Sequence, residues 1–305
     1  MGMGNIWNFY WSRKVNMRIL LLGNTGQVGW ELHRTLLTVG DVVALDYPQV
    51  NMADAASIRD TVRELKPGII INATAYTNVD KAEEESSLSE AINGTGPGVL
   101  AEEAQKLHAA LIHFSTDYIF DGEKGASYTE KDEPNPINQY GLSKLHGEQA
   151  VQQVGGVYLI FRTAWVYSMR RPCFVTKLME WATTHTELRV VDDQISNPTW
   201  ARMLAEVTAQ IIAQGQDDPV NYLGQKKGLY HLAGGGTCSR YEWAKKILEC
   251  SGNAQTIQVH PASSHEFPTP AQRPAFSGLD CTYVQGQFSI HIPEWSKQLQ
   301  IAFDN

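Results

Sequence analysis

A tyrosine and a lysine lie four residues apart in residues 139–144, which run Gln-Tyr-Gly-Leu-Ser-Lys. On a helix this spacing puts both side chains on one face, so we expect the Tyr140 phenol and the Lys144 ammonium to be neighbours. The positive charge would lower the pKa of the tyrosine. Such a tyrosine can donate a proton to a carbonyl oxygen while hydride reaches the carbon. A solvated helix face is the alternative, and the surrounding sequence decides between them.

A glycine-rich turn near the N-terminus offers a place for a cofactor. Gly23, Gly26 and Gly29, with Gln27 and Val28 between them, follow a short apolar run and open a helical pattern. Glycines here allow a tight turn and close approach of the backbone to a pyrophosphate, to which the helix N-terminus presents amide donors. The spacing is G-x-x-G-x-x-G, not G-x-G-x-x-G. The prediction of dinucleotide binding, against a simple tight turn, therefore depends on the strand-turn-helix context.

Two further strand ends extend the predicted cofactor site. Asp46 ends the second apolar run, where a carboxylate can accept hydrogen bonds from adenosine ribose hydroxyls and repel a 2′-phosphate. This favours NAD over NADP, and an ordinary polar strand end is the alternative. Residues 72–77 end the third run, and Ala73 and Ala75 are small enough for a dinucleotide to lie close to the backbone. A loop selected for compact packing would look the same.

Residues 114–120 leave the fourth apolar run at the same edge of the sheet. The hydroxyl of Thr116 can bond a substrate carbonyl oxygen and hold it beside Tyr140, while Lys144 can also bind nicotinamide ribose hydroxyls. The chemistry would be hydride transfer to a ketone, with the charge on oxygen quenched by Tyr140 and by preorganised donors. The hydride belongs to the cofactor.

Apolar runs alternate with helical patterns along the first half of the chain. Such continuous apolar strands predict a parallel sheet covered on both faces, the doubly wound Rossmann α/β architecture, with ligands at the carboxyl ends of the strands. A break at residues 94–97 is expected in the long third helical region. The predicted strands are 18–22, 42–45, 68–72, 110–114 and 157–161, and the predicted helices are 29–37, 55–65 and 79–107.

The sequence pattern changes after about residue 165, where polar loops interrupt shorter predicted elements. We interpret residues 1–16 as an N-terminal extension, residues 17–165 as the dinucleotide-binding domain, and residues 166–305 as a smaller substrate-binding lobe. Some elements of that lobe are expected to pack back on the sheet. The extension has no apolar stretch typical of a signal peptide.

Composition excludes several classes of protein. An apolar content of 43% and a charged content of 19% are those of an ordinary soluble globular protein. The formal charge of -8 argues against nucleic-acid binding, and no apolar run is long enough to span a membrane. The four cysteines are scattered without metal-ligand spacing, which favours free thiols in a reducing cytoplasm over a zinc site.

Several longer strings together resemble the dTDP-4-dehydrorhamnose reductase family, within the extended short-chain dehydrogenase/reductase superfamily. The resemblance runs from residue 17 to about residue 279 and reaches into the second lobe through Asp193-Gln194, Asn197-Pro198-Thr199, Pro268-Thr269-Pro270 and Arg273-Pro274. The strings of the first half are residues 26–32 (GQVGWEL), 79–83 (VDKAE), 115–122 (STDYIFDG) and 161–167 (FRTAWVY).

This resemblance implies reduction of dTDP-4-dehydro-L-rhamnose to dTDP-L-rhamnose with NADPH or NADH, for cell-surface polysaccharide, by a monomer or homodimer. The implied catalytic set is Thr116, Tyr140 and Lys144. Thr116, Asp117 and Trp165 would face the dTDP-linked 4-keto sugar, and Arg273 would bind its diphosphate. The predicted cofactor site includes the three glycines, Ala73, Tyr140 and Lys144. The resemblance implies Gln27, Val28, Asp46, Asn51, Met52, Ala75, Tyr76, Thr77 and Phe114 as cofactor contacts.

Some members of that family use acidic residues and a magnesium ion at a dimer interface. Glu31 matches one such position, but the segment Trp200-Ala201-Arg202 lacks the second acid. We therefore expect no metal site, and a solvated or capping role for Glu31 in the first helix.

Two other functions remain open from the sequence. The first is a sibling enzyme, either a 4,6-dehydratase or an epimerase. A dehydratase commonly has Asp-Glu after the threonine, whereas here Asp117 is followed by Tyr118. An epimerase would keep its NAD bound through turnover, which a reductase must exchange. The second is a non-catalytic binding subunit, since the regulatory subunit of methionine adenosyltransferase resembles this family. The intact Thr116, Tyr140 and Lys144 set argues against the loss of chemistry.

Overall fold

The computed structural model describes residues 17–304, so the predicted extension, residues 1–16, lies outside the described residues. The strands are β1 (Arg18–Leu22), β2 (Asp41–Leu45), β3 (Ile69–Asn72), β4 (Ala110–Thr116), β5 (Val157–Thr163), β6 (Val166–Tyr167), β7 (Glu187–Val191), β8 (Ile195–Ser196), β9 (Thr199–Trp200), β10 (Gly228–His231), β11 (Cys238–Ser239) and β12 (Gln258–Ala262). The α-helices are α1 (Gln27–Thr35), α2 (Ala55–Leu65), α3 (Val79–Glu84), α4 (Ser86–Glu90), α5 (Gly96–Lys106), α6 (Gln139–Val154), α7 (Phe174–Ala182), α8 (Ala201–Gln214), α9 (Pro219–Gln225), α10 (Arg240–Cys250), α11 (Thr282–Phe288) and α12 (Trp295–Phe303).

A six-stranded parallel sheet forms the centre of the molecule, in the order β10-β5-β4-β3-β1-β2. Its strands are almost wholly apolar because both faces are covered. In β3, Ile69 and Ile71 pack on the face that carries α1 and α8, while Ile70 packs on the face that carries α2 and α5. The predicted doubly wound α/β fold is confirmed.

The second half of the chain contributes both to the central sheet region and to a separate, smaller lobe. Strand β10 pairs with β5 at the edge of the sheet, and α8 packs beside α1. The remaining elements build a smaller lobe around a separate core that includes Tyr167, Leu178, Trp243 and Leu299. Strands β7 and β12 pair in parallel within this lobe. In the described range, no helix is long and apolar enough to cross a membrane.

Two local differences from the predicted elements matter for the site. The expected break at residues 94–97 is a π-helical turn, Ala91–Thr95, that leads directly into α5. Pro97 falls in the first turn of α5, where its missing N–H is not needed by the helix. Strand β4 runs two residues further than predicted, which places Thr116 at its very end.

Candidate active site

One cleft opens at the carboxyl ends of β1, β3, β4 and β5, with a volume of about 570 Å³. It brings together predicted residues from six separate segments of the chain. Trp165 enters from the junction with the smaller lobe. The predicted residues that line the cleft are Gly23, Gly26, Gln27, Val28, Asp46, Ala73, Ala75, Thr77, Phe114, Thr116, Asp117, Tyr140, Lys144 and Trp165.

The glycine turn has the conformation that its sequence requires. Gly23 has a φ of +87°, and a Cβ there would lie 2.9 Å from the backbone of Ala73. A Cβ at Gly29 would lie 2.0 Å from the carbonyl oxygen of Gly23, so α1 approaches the turn closely only because residue 29 is glycine. Helix α1 has no side-chain cap and no acid in its first turn. Its first amides therefore remain available to an anion.

Asp46 connects the end of β2 to this turn. Its Oδ2 accepts hydrogen bonds from the Thr25 backbone N–H at 3.1 Å and the Thr25 hydroxyl at 2.6 Å. Its Oδ1 accepts from the backbone N–H of Tyr47 at 2.8 Å. The contacts position a negative charge at the rim of the cleft and hold the turn in place.

Three buried oxygen atoms on the cleft wall have no hydrogen-bond partner among the described residues. They are Oε1 of Gln27, Oγ of Ser115 and Oγ1 of Thr163. The amide nitrogen of Gln27 donates to the carbonyl of Val166 at 3.3 Å, so the side chain is held with its oxygen unpaired. Buried polar atoms of this kind are usually satisfied by a partner. The cleft therefore fits a polar ligand that donates hydrogen bonds, as a dinucleotide does.

The hydroxyls of Tyr140 and Thr116 meet at one end of the cleft. Tyr140 lies in the first turn of α6, which is capped by Asn138, whose side chain accepts from the Gly141 N–H at 2.8 Å. Gly141 lets α6 approach the strand end, since a Cβ there would lie 2.1 Å from the carbonyl oxygen of Tyr118. Thr116 interacts with the Tyr140 phenol by a hydrogen bond that lowers the pKa of the phenol. Two hydroxyl groups thus meet where a carbonyl oxygen can be bound.

Lys144 lies one turn further along α6 and also lines the cleft, where its side chain is buried. Its Nζ donates to the carbonyl of Phe114 at 2.6 Å, and the residue is 1% exposed. Burial lowers the pKa of Lys144 to about 8 and raises the pKa of Tyr140 above its ordinary value. The prediction that Lys144 lowers the pKa of Tyr140 is therefore wrong for this structure, because burial of the phenol dominates.

His113 lies behind Lys144, and the sequence analysis missed it. Asn72 accepts from the Thr74 backbone N–H through Oδ1, so its Nδ2 donates to Nδ1 of His113 at 3.1 Å. Burial lowers the pKa of His113 well below its ordinary range, which leaves a neutral ring with its proton on Nε2. That nitrogen lies 3.4 Å from Nζ of Lys144. The available signal was one histidine in an otherwise apolar strand.

Asp117 has a different environment from the sugar-facing one that was predicted. It is 2% exposed, and its Oδ2 accepts from the hydroxyls of Ser196 at 2.9 Å and Ser277 at 2.5 Å. Its Oδ1 accepts from Thr116 at 3.1 Å, and burial raises the pKa of the carboxyl. Asp117 thus fastens the end of β4 to the smaller lobe. Contact with the sugar stays a prediction.

A second cavity, of about 730 Å³, lies in the smaller lobe and includes Arg273 in its wall. Two guanidinium nitrogens of Arg273 donate to the carboxylate of Asp80 at 2.6 and 2.8 Å, and one of them also donates to the carbonyl of Ala271 at 2.6 Å. The residue predicted to bind the diphosphate is therefore already neutralised by a bidentate ion pair. Asp80 itself comes from one of the strings that carried the resemblance.

Four predicted cofactor residues do not line the cleft. Gly29 packs beneath the turn, as described above. The phenol of Tyr76 donates to Glu85 at 2.5 Å, which raises the pKa of Tyr76 to about 12. Met52 is 6% exposed and belongs to the core, and the side chain of Asn51 accepts from the Ala53 N–H. Cofactor contacts for these residues stay predictions.

Comparisons with known proteins give the family. A family model described as the RmlD substrate binding domain matches residues 17–305. A dTDP-4-dehydrorhamnose reductase from Burkholderia thailandensis is 36% identical over 285 residues, 92% of this chain and 95% of that protein. This protein belongs to the dTDP-4-dehydrorhamnose reductase family.

Solved structures of the family superpose over most of the chain. The dTDP-4-dehydrorhamnose reductase of Clostridium acetobutylicum is 35% identical, with a TM-score of 0.87 over 94% of this chain and 99% of that one. The enzyme of Bacillus anthracis, solved in complex with NADP, is 32% identical, with a TM-score of 0.87 over 95% of this chain and 99% of that one. The chain therefore includes both lobes of a family member.

The magnesium site used by some members of the family does not fit the residues here. Glu31 lies among the guanidinium groups of Arg34, Arg170 and Arg202, which act to lower its pKa against the raising effect of burial. Arg202 also pairs with Glu206 at 2.7 Å. Three cations around one carboxylate repel a divalent ion. Within residues 17–304 no group of three or more His, Cys, Asp or Glu side chains is placed to hold a metal.

Proposed function

We propose that this protein catalyses the reduction of the 4-keto group of dTDP-4-dehydro-L-rhamnose by a nicotinamide cofactor, giving dTDP-L-rhamnose. The observation that carries the proposal is the meeting of the Tyr140 and Thr116 hydroxyls in a cleft that is also lined by the glycine turn. Membership of the family over both lobes supports the nucleotide sugar as substrate.

The cleft has the groups that a dinucleotide needs. The unpaired amides at the start of α1 would bind the pyrophosphate, and Asp46 would accept hydrogen bonds from the adenosine ribose. Lys144 lines the cleft and would bind the nicotinamide ribose. The reduced cofactor would supply the hydride that the ketone carbon accepts.

The protein's own part in the chemistry is to bind and protonate the carbonyl oxygen. Thr116 would donate a hydrogen bond to that oxygen, and Tyr140 would transfer its phenolic proton as negative charge develops there. The raised pKa of Tyr140 keeps the phenol protonated at neutral pH, which is the form a proton donor requires. A cation at Lys144 would stabilise the phenolate left behind until it regains a proton.

Asp46 favours NADH, because its carboxylate would lie beside the 2′-phosphate of NADPH and repel it. The Bacillus anthracis relative, however, was solved with NADP. We therefore expect the enzyme to use both cofactors. The substitution Asp46→Asn should raise kcat/KM for NADPH relative to NADH by about fivefold, since one unfavourable charge contact is worth about 1 kcal/mol at a solvated site. An unchanged ratio would show that Asp46 does not set the preference.

The reductase is favoured over a dehydratase because Tyr118 occupies the position after Asp117. A phenol that packs edge-on against Tyr140, with ring centroids 5.9 Å apart, cannot supply the additional carboxylic acid of a dehydratase. An epimerase would retain its NAD, so release of the cofactor in each turnover separates that function from the reductase.

The decisive assay adds enzymatically made dTDP-4-dehydro-L-rhamnose to the protein and either reduced cofactor. The expected result is loss of NADH or NADPH absorbance, with dTDP-L-rhamnose identified by mass spectrometry and NMR. Well-folded protein that binds a cofactor but oxidises none above background would contradict the proposal.

A further inference from the structure

We infer that Arg240, and not Arg273, binds the diphosphate of the nucleotide sugar. This inference rests on the proposed function, because it assigns one end of that substrate to a particular side chain. It concerns the second cavity, which lies next to the catalytic cleft and is lined by Arg189, Arg240 and Arg273.

The three arginines of the cavity differ in their partners. Arg189 pairs with Glu266 at 2.5 Å, and Arg273 pairs with Asp80. Across residues 17–304, Arg240 forms no ion pair with a carboxylate. The guanidinium of Arg240 is only partly exposed and has no carboxylate counterion, and a phosphate ligand would supply the missing charge.

Asp117 is the acid whose charge acts on Arg240, and it does not serve as that counterion. Its oxygens accept hydrogen bonds from Thr116, Ser196 and Ser277, as described above. Arg273 acts on Arg240 in the opposite direction, as a neighbouring cation. The electrostatic environment of Arg240 is therefore one that a bound anion would stabilise.

Aromatic rings hold the guanidinium of Arg240 in place. Its Cζ lies 3.8 Å from the ring centroid of Trp165 and 5.1 Å from that of Phe174. Trp165 in turn stacks on Trp243, with centroids 5.5 Å apart and an interplanar angle of 13°. A guanidinium stacked on a ring keeps its N–H groups in its own plane, where they can bind two phosphate oxygens at once.

The position of Arg240 matches the length of the substrate. Its guanidinium donates to the phenol of Tyr118, as that of Arg273 also does, and the ring of Tyr118 packs against Tyr140. One aromatic ring thus separates the cation from the proton donor. In a hexose, the C1 atom that bears the diphosphate lies across the ring from C4. A sugar with its C4 carbonyl at Tyr140 would therefore direct its diphosphate towards Arg240.

The remainder of the cavity suits the nucleoside. Trp181 and Phe267 line it and are 40% and 44% exposed, which is unusual for rings of this size. Exposed rings in a cavity wall can stack on a pyrimidine base. The cavity thus presents a cation near the catalytic cleft and aromatic surface for the base.

The test compares Arg240→Gln with Arg273→Gln and with a matched surface control, Arg59→Gln, by calorimetric titration. Arg59 pairs with Glu102 away from both cavities. We expect Arg240→Gln to weaken dTDP binding by about 30-fold or more, as for loss of a charged hydrogen-bonding partner. Binding of thymidine and of NADPH should stay within about threefold. The KM for the nucleotide sugar should rise more than kcat falls, and Arg273→Gln should have a smaller effect on dTDP.

Two results would overturn the inference while leaving the reductase intact. One is unchanged dTDP affinity in an Arg240→Gln enzyme that still binds NADPH. The other is a larger loss in Arg273→Gln than in Arg240→Gln. If Arg240→Gln fails to fold, Arg240→Lys decides: at least fivefold weaker dTDP binding with normal NADPH binding supports the inference, and unchanged dTDP binding overturns it. A wild-type protein that binds NADPH but neither binds dTDP nor reduces the keto sugar would instead contradict the proposed function.

Discussion

The catalytic cleft and the neighbouring lobe cavity are built from different kinds of groups. The cleft is formed by backbone amides, small side chains and hydroxyls at the ends of parallel strands, and its lysine is buried against the carbonyl of Phe114. The wall of the cavity carries three arginines, one each from strand β7, helix α10 and a loop, and two of them form ion pairs. The first arrangement suits a ligand held close to the backbone and a reaction at one oxygen atom. The second suits recognition of a charged, flat nucleotide by long side chains.

The largest effect is expected from removing the phenolic hydroxyl in the cleft. Tyr140→Phe should reduce kcat by about 100-fold or more, because the carbonyl oxygen would lose its proton donor. The affinity for NADPH and for dTDP should stay within about threefold, since the ring and both binding regions remain. Steady-state kinetics and titration of each ligand measure these effects. Retention of more than about a third of wild-type kcat would exclude Tyr140 as the donor.

Replacing the buried Lys144 should affect activity and stability differently. Lys144→Met should remove most activity but leave the melting temperature equal or higher, because an ammonium without a counterion no longer has to be buried. The folded pKa of about 8 is below the ordinary 10.5, so the unfolded chain binds a proton that the folded protein releases between these values. Stability from this group rises with pH across that window.

The pH dependence provides the control for Lys144. Wild-type protein should gain free energy of unfolding relative to Lys144→Met as the pH rises from about 8 to 10.5. Urea unfolding at several pH values measures the difference. Parallel curves for the two proteins would show that Lys144 is not desolvated as described.

The contrast between the regions also explains what the sequence could predict. The turn at Gly23 and the hydroxyl of Thr116 lie at strand ends, where a local pattern fixes the position, and the structure brings both into one cleft. Their roles in binding and catalysis stay predictions. Arg273 was also singled out, but its partner Asp80 is 193 residues away in sequence. Long-range pairing of this kind leaves no local pattern. The burial of Lys144 could not be predicted either. Helical spacing shows on which face of a helix a residue lies, but not how deeply its side chain is buried.

A moderate loss of stability is expected from substitution of Asp117, which joins the two regions. Asp117→Ala would leave the hydroxyls of Ser196 and Ser277 without their shared acceptor, so the free energy of unfolding should fall by about 2 kcal/mol. Asp117→Asn keeps an acceptor of the same shape and should cost less. Urea denaturation measures both. Equal losses in the two variants would show that the negative charge, and not the hydrogen bonds, joins the lobes.

The smallest effect is expected from magnesium, at a surface apart from both regions. Since Arg34, Arg170 and Arg202 surround Glu31, the local field already provides the positive charge that a metal would bring. Treatment with EDTA, or addition of magnesium after it, should change activity and melting temperature by less than about 20% and about 1 °C, the range of a surface effect. A matched variant, Arg202→Ala, removes one of these cations and should remain equally insensitive, because the acids present are still too few to bind a divalent ion. Loss of activity on chelation, restored by magnesium, would show instead that Glu31 binds a metal despite its arginine neighbours.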